Sequence, residues 1–256
     1  MKVVILAGGF GTRISEESDY KPKPMIRIGD YPILWHIMKI YSHYGHNDFI
    51  IPLGYKGEEI KEYFINYSKY KSNLEIDLNN DSIKILKRSK EIWKITLVDT
   101  GLDTMTGGRI KKIKKYIGNE RFFLTYGDGL SNININKLLK FHNLSKKIVT
   151  LSAIKFKGRY GSIKIKENNV ESFQEKPDYA NSWINGGFFV CEPSVFEFIK
   201  NNKTVFERDP IENICSKNKL GAFKHNGFWH PLDNVKDKRN LEKLWLSTAP
   251  WKIWKT

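Results

Sequence analysis

Near its start the chain carries Gly8, Gly9 and Gly11, then Thr12 and Arg13, then Lys21 and Lys23. Glycine has no Cβ, so main-chain N–H groups in such a run can come close to a phosphate. Two familiar phosphate loops are excluded by spacing. A G-x-G-x-x-G reading from Gly9 and Gly11 puts Ile14 where the third glycine belongs, and no G-x-x-x-x-G-K-[ST] run is present. What remains is GGxGTR followed by KPKP, a loop for a polyanion with its cations built in. A bare glycine turn would equally open any α/β domain, and Arg13 and Lys23 weigh against that blander reading. The second candidate is Asp128, set between Gly127 and Gly129 after the apolar run Phe122 to Tyr126. An aspartate just past the carboxyl end of a buried strand stands where open α/β sheets bind ligands. The flanking glycines leave space for phosphates, and Mg²⁺ favours one or two carboxylates together with substrate phosphates. The competing reading is a turn aspartate. A third stretch, Thr100 to Gly108, ends in the pair Gly107 and Gly108 ahead of Arg109. A glycine pair at a helix start predicts free N–H groups for an anion or a base, against simple loop punctuation. Glu175 and Lys176 suit sugar hydroxyls and a sugar phosphate, although a Glu-Lys-Pro at a strand end is usually surface.

These residues need elements to hold them. Val3 to Leu6 reads as a short buried strand that delivers the glycine loop. Pro32 to Tyr41 reads as a helix with proline in its first turn, Asp48 to Leu53 as a strand, and Gly57 to Phe64 as a second helix. Strand and helix in alternation predict a mixed, mostly parallel central sheet flanked by helices, a single α/β Rossmann-like domain. Residues 67–92 are polar and weakly periodic, an excursion from the sheet with a turn at 77–81. Trp93 to Asp99 returns as a strand. Arg109 to Ile117 reads as a helix with Ile110, Ile113 and Ile117 on one face and lysines on the other. Ile135 to His142 is a predicted helix and Ile148 to Ile154 a strand. Ser162 to Lys166 and Val170 to Gln174 alternate about Glu167-Asn168-Asn169 and predict a hairpin, a small sugar-binding lobe. Ile184 to Val190 is a strand, and Val195 to Lys200, Val205 to Cys215 and Lys238 to Leu246 are helices. Gly227 to Asn234 is an aromatic turn holding Asp233, and the tail Ala249 to Trp254 is too apolar to float. We expect one domain over 1–256, with a nucleotide-binding half to about residue 130, a sugar-phosphate half to about 235, and a C-terminal helix and tail.

Composition narrows the classes. A chain of 256 residues, 40% hydrophobic and 13% aromatic, is globular rather than disordered. No apolar run approaches the ~18 residues of a membrane span. Met1-Lys2 leads straight into the first strand, so we expect no signal peptide and a cytoplasmic protein. Two cysteines, Cys191 and Cys215, make neither a disulfide framework nor a four-cysteine zinc site. The formal net charge of +15 suits a protein that handles polyanionic nucleotides. It also permits nucleic acid, but no recognition motif accompanies it, and the run of lysines around 111–115 reads as a solvated helix face.

Taken in order, LAGGFGTR, KPKPM, PILWHIMK, GYKG, IKEYF, TLVDTG, TMTGGR, LTYGDG, GRYG, SFQEKP, INGGFFV, GFWHPLDN and APWKIW resemble, nearly end to end, the signature of the sugar nucleotidyltransferases. That family joins a nucleoside triphosphate to a sugar 1-phosphate. The resemblance implies CTP and glucose 1-phosphate as substrates, Mg²⁺ as cofactor, a homo-oligomer, a hexamer, and a place in sugar-nucleotide supply for bacterial surface polysaccharide. It also implies roles. Leu6, Ala7, Gly8, Gly9, Gly11 and Thr12 hold base and phosphates, and Arg13 and Lys23 are the catalytic cations. Thr104, Gly107, Gly108, Arg109 and Gly127 border the nucleotide. Asp128 and Asp233 hold the metal, and Gly161, Glu175, Lys176 and Asn185 face the sugar phosphate. This chain departs from the family at His230, usually Gln, and Asn234, usually Thr. No G-x-S-x-G or other nucleophile motif is present, as direct attack by a phosphate oxygen requires. Rival readings keep the chemistry with UTP or dTTP or another sugar phosphate, or keep only the fold as a nucleotide-sugar sensor.

Overall fold

The computed structural model describes residues 1–11, 14, 21–87, 91–155, 162–174 and 183–255. In chain order the first half gives β1 (Lys2–Leu6), a 3₁₀ turn at Lys23–Met25, β2 (Arg27–Ile28), β3 (Tyr31–Pro32), α1 (Ile33–His43), β4 (Asp48–Leu53), α2 (Gly57–Tyr70), β5 (Asn73–Asp77), β6 (Ser82–Lys87), β7 (Lys94–Asp99), α3 (Thr106–Lys112), α4 (Lys114–Ile117), β8 (Phe122–Tyr126) and β9 (Gly129–Ser131). The second gives α5 (Ile135–Ser145), β10 (Val149–Lys155), β11 (Ser162–Lys166), β12 (Asn169–Gln174), β13 (Trp183–Cys191), a 3₁₀ turn at Pro193–Phe198, α6 (Asp209–Ser216), β14 (Leu220–His225), β15 (Trp229–Pro231) and α7 (Val235–Leu246).

Among the described residues nine strands form one mixed sheet, ordered β10-β14-β12-β11-β13-β8-β1-β4-β7. β1 lies parallel between β4 and β8, with Val3 opposite Phe49 and Phe123, and β7 extends this half in parallel beyond β4. A central parallel strand is covered on both faces, which is why KVVIL is apolar without alternation. Successive side chains still part to opposite faces. Val3 and Ile5 join Trp35, Ile37 and Trp251 in one core, while Val4 and Leu6 join Ile110, Ile113 and Phe206 in the other. Because β1, β4, β7 and β8 run the same way, their carboxyl ends open at one edge. β13 then runs antiparallel to β8 and carries the sheet into its second half, with Phe189 opposite Leu124.

Several expected elements take a different form. Arg109 to Ile117 is two short helices that meet at Ile113, although Ile110, Ile113 and Ile117 are buried as their spacing predicts. The helix expected from Val205 starts at Asp209, with Pro210 in its first turn, and residues 201–206 instead wrap the start of α3. In place of the helix expected over Val195 to Lys200, a 3₁₀ turn spans Pro193–Phe198. The 67–92 excursion contains the end of α2 and the hairpin β5–β6, outside the main sheet, and its turn is closed by Asp77 Oδ1 accepting from Asn79 N at 2.9 Å. The tail packs on the body: Trp251 is fully buried and donates through Nε1 to His36 Nδ1 at 3.3 Å. No helix among the described residues is long and apolar enough to cross a membrane.

Candidate active site

The glycine loop leaves β1 at the open edge and is braced from beneath. Gly8 O accepts from Arg109 Nη2 at 2.8 Å and from Tyr55 N at 3.2 Å. A Cβ on Gly8 would stand 2.4 Å from the guanidinium, so glycine is required there for close approach. Gly9 meets nothing within 4 Å and is exposed, so it is the part of the loop that faces outward. Arg109 comes from α3 and is only 4% exposed. Its Nη1 reaches Leu53 O (2.8 Å), Thr100 Oγ1 (2.6 Å) and Gly101 O (2.9 Å), and its Nη2 also reaches Leu102 O (3.1 Å). One side chain thus ties together the carboxyl ends of β1, β4 and β7. Burial lowers its pKa, partly offset by the charge of Asp99. A guanidinium nevertheless stays charged.

Lys23 heads the 3₁₀ turn after the loop, and its Nζ donates to Asp128 Oδ2 at 2.6 Å and to Asp233 Oδ1 at 2.8 Å. The three residues come from three distant places in the chain. Asp128 follows β8. Asp233 lies between β15 and α7, and Leu232 N donates to Asp128 O at 2.7 Å, which locks the two aspartate loops together. Asn234 caps α7 through a capping box with Asp237, and Asp237 Oδ2 accepts from Asp233 N at 3.0 Å. The Lys23 ammonium is 12% exposed and the Asp233 carboxylate 11%. Burial pulls the Lys23 pKa down, but the charges and hydrogen bonds of Asp128 and Asp233 outweigh it and hold the amine above its ordinary value.

Asp128 and Asp233 are the carboxylates expected to hold a metal, and their oxygens already converge on one cation, the ammonium. Among the described residues no group of three or more His, Cys, Asp or Glu side chains could hold an ion. A carboxylate pair open to substrate phosphates and water is nevertheless the donor set Mg²⁺ prefers, so these residues fit it.

Two expectations from spacing are corrected. Gly107 and Gly108 do not offer free N–H groups: both donate to Thr204 O, at 3.0 and 3.3 Å. They are small because that segment packs on them, a Cβ on Gly108 falling 2.5 Å from Asn202 O. Gly127 likewise leaves no space for phosphate, since its Cβ position lies 2.7 Å from Leu6 O and 3.0 Å from Pro24 Cγ. It makes room for the turn that carries Lys23. Leu6 and Ala7 are buried, and Thr104 is buried with its hydroxyl given to Thr100 O at 2.6 Å. Arg109 lies under the loop and bears on it through the carbonyl of Gly8. Asn185 lies on β13, half-buried, beside Tyr126. Thr12, Arg13, Gly161, Glu175 and Lys176 lie outside the described residues. Asp237 escaped the sequence reading, although Asn-x-x-Asp before an apolar run is a cap signal.

The family model for nucleotidyl transferases matches residues 2–241, and the chain belongs to that family. Its relatives are specific. It is 48% identical over 256 residues to the glucose-1-phosphate cytidylyltransferase of Salmonella typhimurium, covering 99% of this chain and 100% of that protein. It is 44% identical over 256 residues to the probable glucose-1-phosphate cytidylyltransferase of Bacillus subtilis, at the same coverage. Among solved structures, HddC from Yersinia pseudotuberculosis matches with a TM-score of 0.76 and 25% identity, over 95% of this chain and 99% of that one. HddC complexed with GMP-PN matches with a TM-score of 0.75.

Proposed function

We propose that this chain transfers the cytidylyl group of CTP to glucose 1-phosphate, forming CDP-glucose and releasing pyrophosphate. The observation that carries the reaction class is the meeting of Lys23, Asp128 and Asp233 beside the glycine loop. Choice of base and sugar rests on the 48% identity over 99% of the chain. A phosphate oxygen of the sugar 1-phosphate attacks the α-phosphorus of CTP. The bond from that phosphorus to the oxygen bridging to the β-phosphate breaks, and pyrophosphate leaves with the electron pair. The attacking group is already an anion, so no enzyme nucleophile and no covalent intermediate is needed. What the protein must supply is alignment of two polyanions and neutralisation of the charge that shifts to the leaving group.

In this reading the glycine loop, Leu6 to Gly11 with Thr12, seats base and phosphates, and Arg109 keeps it in place from below. Arg13 and Lys23 neutralise the triphosphate. Asp128 and Asp233 would hold Mg²⁺, which would supply positive charge against the charge of the triphosphate. Lys23 stands between those carboxylates, and the triphosphate offers it a second set of anionic partners. Gly161, Glu175, Lys176 and Asn185 receive the sugar phosphate. The reaction belongs in the cytoplasm. Self-association into a hexamer is supported by the hairpin β5–β6, where Leu74 faces Ile85 and Ile76 faces Ile83 across the strands, with Ile76 58% and Ile83 55% exposed.

The test is pyrophosphate release with glucose 1-phosphate and Mg²⁺, run side by side with CTP, UTP, dTTP, ATP and GTP. We expect strong release with CTP alone. Preference for another nucleotide overturns the base. Silence with all five overturns the proposed reaction.

A further inference from the structure

Behind Asn185 stands a chain of hydrogen bonds that the transfer chemistry does not use. Gly187 N donates to Asn185 Oδ1 at 2.9 Å. A backbone N–H can only donate, so the amide's oxygen and nitrogen ends are assigned. Asn185 Nδ2 donates to the Tyr126 hydroxyl at 3.3 Å, and that hydroxyl donates to Glu207 Oε1 at 2.6 Å. The other oxygen, Glu207 Oε2, accepts from Thr106 Oγ1 at 2.6 Å, and Thr106 Oγ1 accepts from Phe206 N at 2.8 Å. The direction of every bond follows from the two backbone donors and the acceptor-only carboxylate between them. The Tyr126 ring has little freedom. A Cβ on Gly187, whose φ is +77°, would lie 2.5 Å from its Cδ2, and Phe189 meets it edge-on at 5.7 Å.

We propose that Tyr126 and Glu207 are positioning residues that fix which way Asn185 points its amide, leaving the second Nδ2 hydrogen for an oxygen of the sugar phosphate. The inference rests on the reading of Asn185 as a sugar-phosphate contact. If Tyr126 loses its hydroxyl, Asn185 loses the acceptor that holds its nitrogen end. If Glu207 becomes an amide, its NH₂ must face one of the two hydroxyls it now accepts from; turned to Tyr126, it removes the acceptor that directs that hydroxyl's proton away from Asn185. Tyr126 also precedes Gly127 and Asp128 on the same strand end, so the sugar contact and the metal carboxylate share one rigid mount.

The experiment compares CDP and CDP-glucose binding by calorimetry, so that the ratio of the two Kd values reads the sugar's contribution without turnover. Wild type, Asn185→Ala, Tyr126→Phe, Glu207→Gln and the Asn185→Ala/Tyr126→Phe double variant are measured with their melting curves. Tyr126→Phe and Glu207→Gln are expected to lower the ratio by roughly 5-fold, about one orienting hydrogen bond, with CDP affinity unchanged. The double variant is expected to be no worse than Asn185→Ala alone. Asn185→Ala at the wild-type ratio overturns the sugar contact and the inference with it. Asn185→Ala with a lowered ratio, but Tyr126→Phe and Glu207→Gln at the wild-type ratio, overturns the positioning role alone. An additive double variant does the same. Should Tyr126→Phe melt early, Glu207→Gln decides the question.

Discussion

Two cations stand at the open edge of the sheet, Arg109 buried and Lys23 half-buried, and they are held by opposite means. Arg109 is surrounded by four main-chain carbonyls and one threonine hydroxyl, from Gly8, Leu53, Gly101, Leu102 and Thr100. Lys23 is held by two carboxylates. Carbonyl dipoles satisfy a guanidinium's forked donors one by one without contributing net charge, so the cage has nothing to give to a competing cation. A pair of carboxylates is different. It is a charged site that accepts an ammonium or a metal ion, and its lysine can be drawn off by a phosphate. On this contrast we assign Arg109 to the scaffold of the glycine loop and propose Lys23 for the chemistry, although sequence makes both look like cations beside glycines.

The sharpest break between them comes from removing each charge. Lys23→Met is expected to cut turnover by roughly 10³-fold with the KM for CTP changed only a few-fold, as for a group whose charge acts in the transition state. The same variant removes the ammonium from between Asp128 and Asp233, so Mn²⁺ binding without nucleotide, followed by electron paramagnetic resonance, should tighten relative to wild type. Near-normal turnover, or Mn²⁺ binding no tighter than wild type, would erase the distinction. Arg109→Met should act on stability instead. It removes one buried donor from each of five acceptors, of which Gly8 O keeps Tyr55 N and Leu53 O keeps Thr100 N, a loss of about 3–5 kcal/mol by analogy with broken buried charge networks. For a chain of this size that is on the order of 10 °C in melting temperature. Arg109→Lys should recover little, because an ammonium cannot fork across three strand ends. If calorimetry shows Arg109→Met melting with wild type, the cage is not what holds the loop.

How much of this contrast was readable in advance depends on range. Local features came through: the bounds of Asp48–Leu53 and Phe122–Tyr126, the turn after Asp77, the hairpin about Glu167, and the buried tail all follow from patterns a few residues long. Asp128 was legible because a polar residue at the end of an apolar run has few other uses. Asp233 came from resemblance, since nothing local separates it from any turn aspartate. What stayed hidden is set by residues far apart. The N–H groups of Gly107 and Gly108 meet Thr204, and the inward side of Arg109 meets Gly8, 101 positions away. A helical wheel groups Arg109 with the lysines that follow. It has no means of knowing that main-chain carbonyls from Gly8, Leu53, Gly101 and Leu102 converge beneath α3.

The smallest expected effect tests whether Asp233, the carboxylate proposed for the metal, is also positioned by scaffold. Asp233 lies one residue before the cap of α7, and its N–H donates to the same Asp237 carboxylate that takes the N–H of Asn234, at 3.0 and 3.2 Å. Asn234 Oδ1 in turn accepts from Asp237 N at 2.9 Å. Asparagine and threonine are both good caps, so the departure from the family's usual residue keeps the function of the position. Asn234→Ala removes that acceptor at a cost of about 1 kcal/mol, or roughly 3 °C. With the cap loosened, Asp237 no longer pins the backbone of Asp233. The Mg²⁺ concentration for half-maximal turnover should rise a few-fold, while Asn234→Thr stays near wild type. If Asn234→Ala loses the melting temperature but keeps the Mg²⁺ dependence, then Asp233 is set by its charge partner and by the Leu232 to Asp128 hydrogen bond, not by the helix. The line between scaffold and chemistry would then run through the peptide between Asp233 and Asn234.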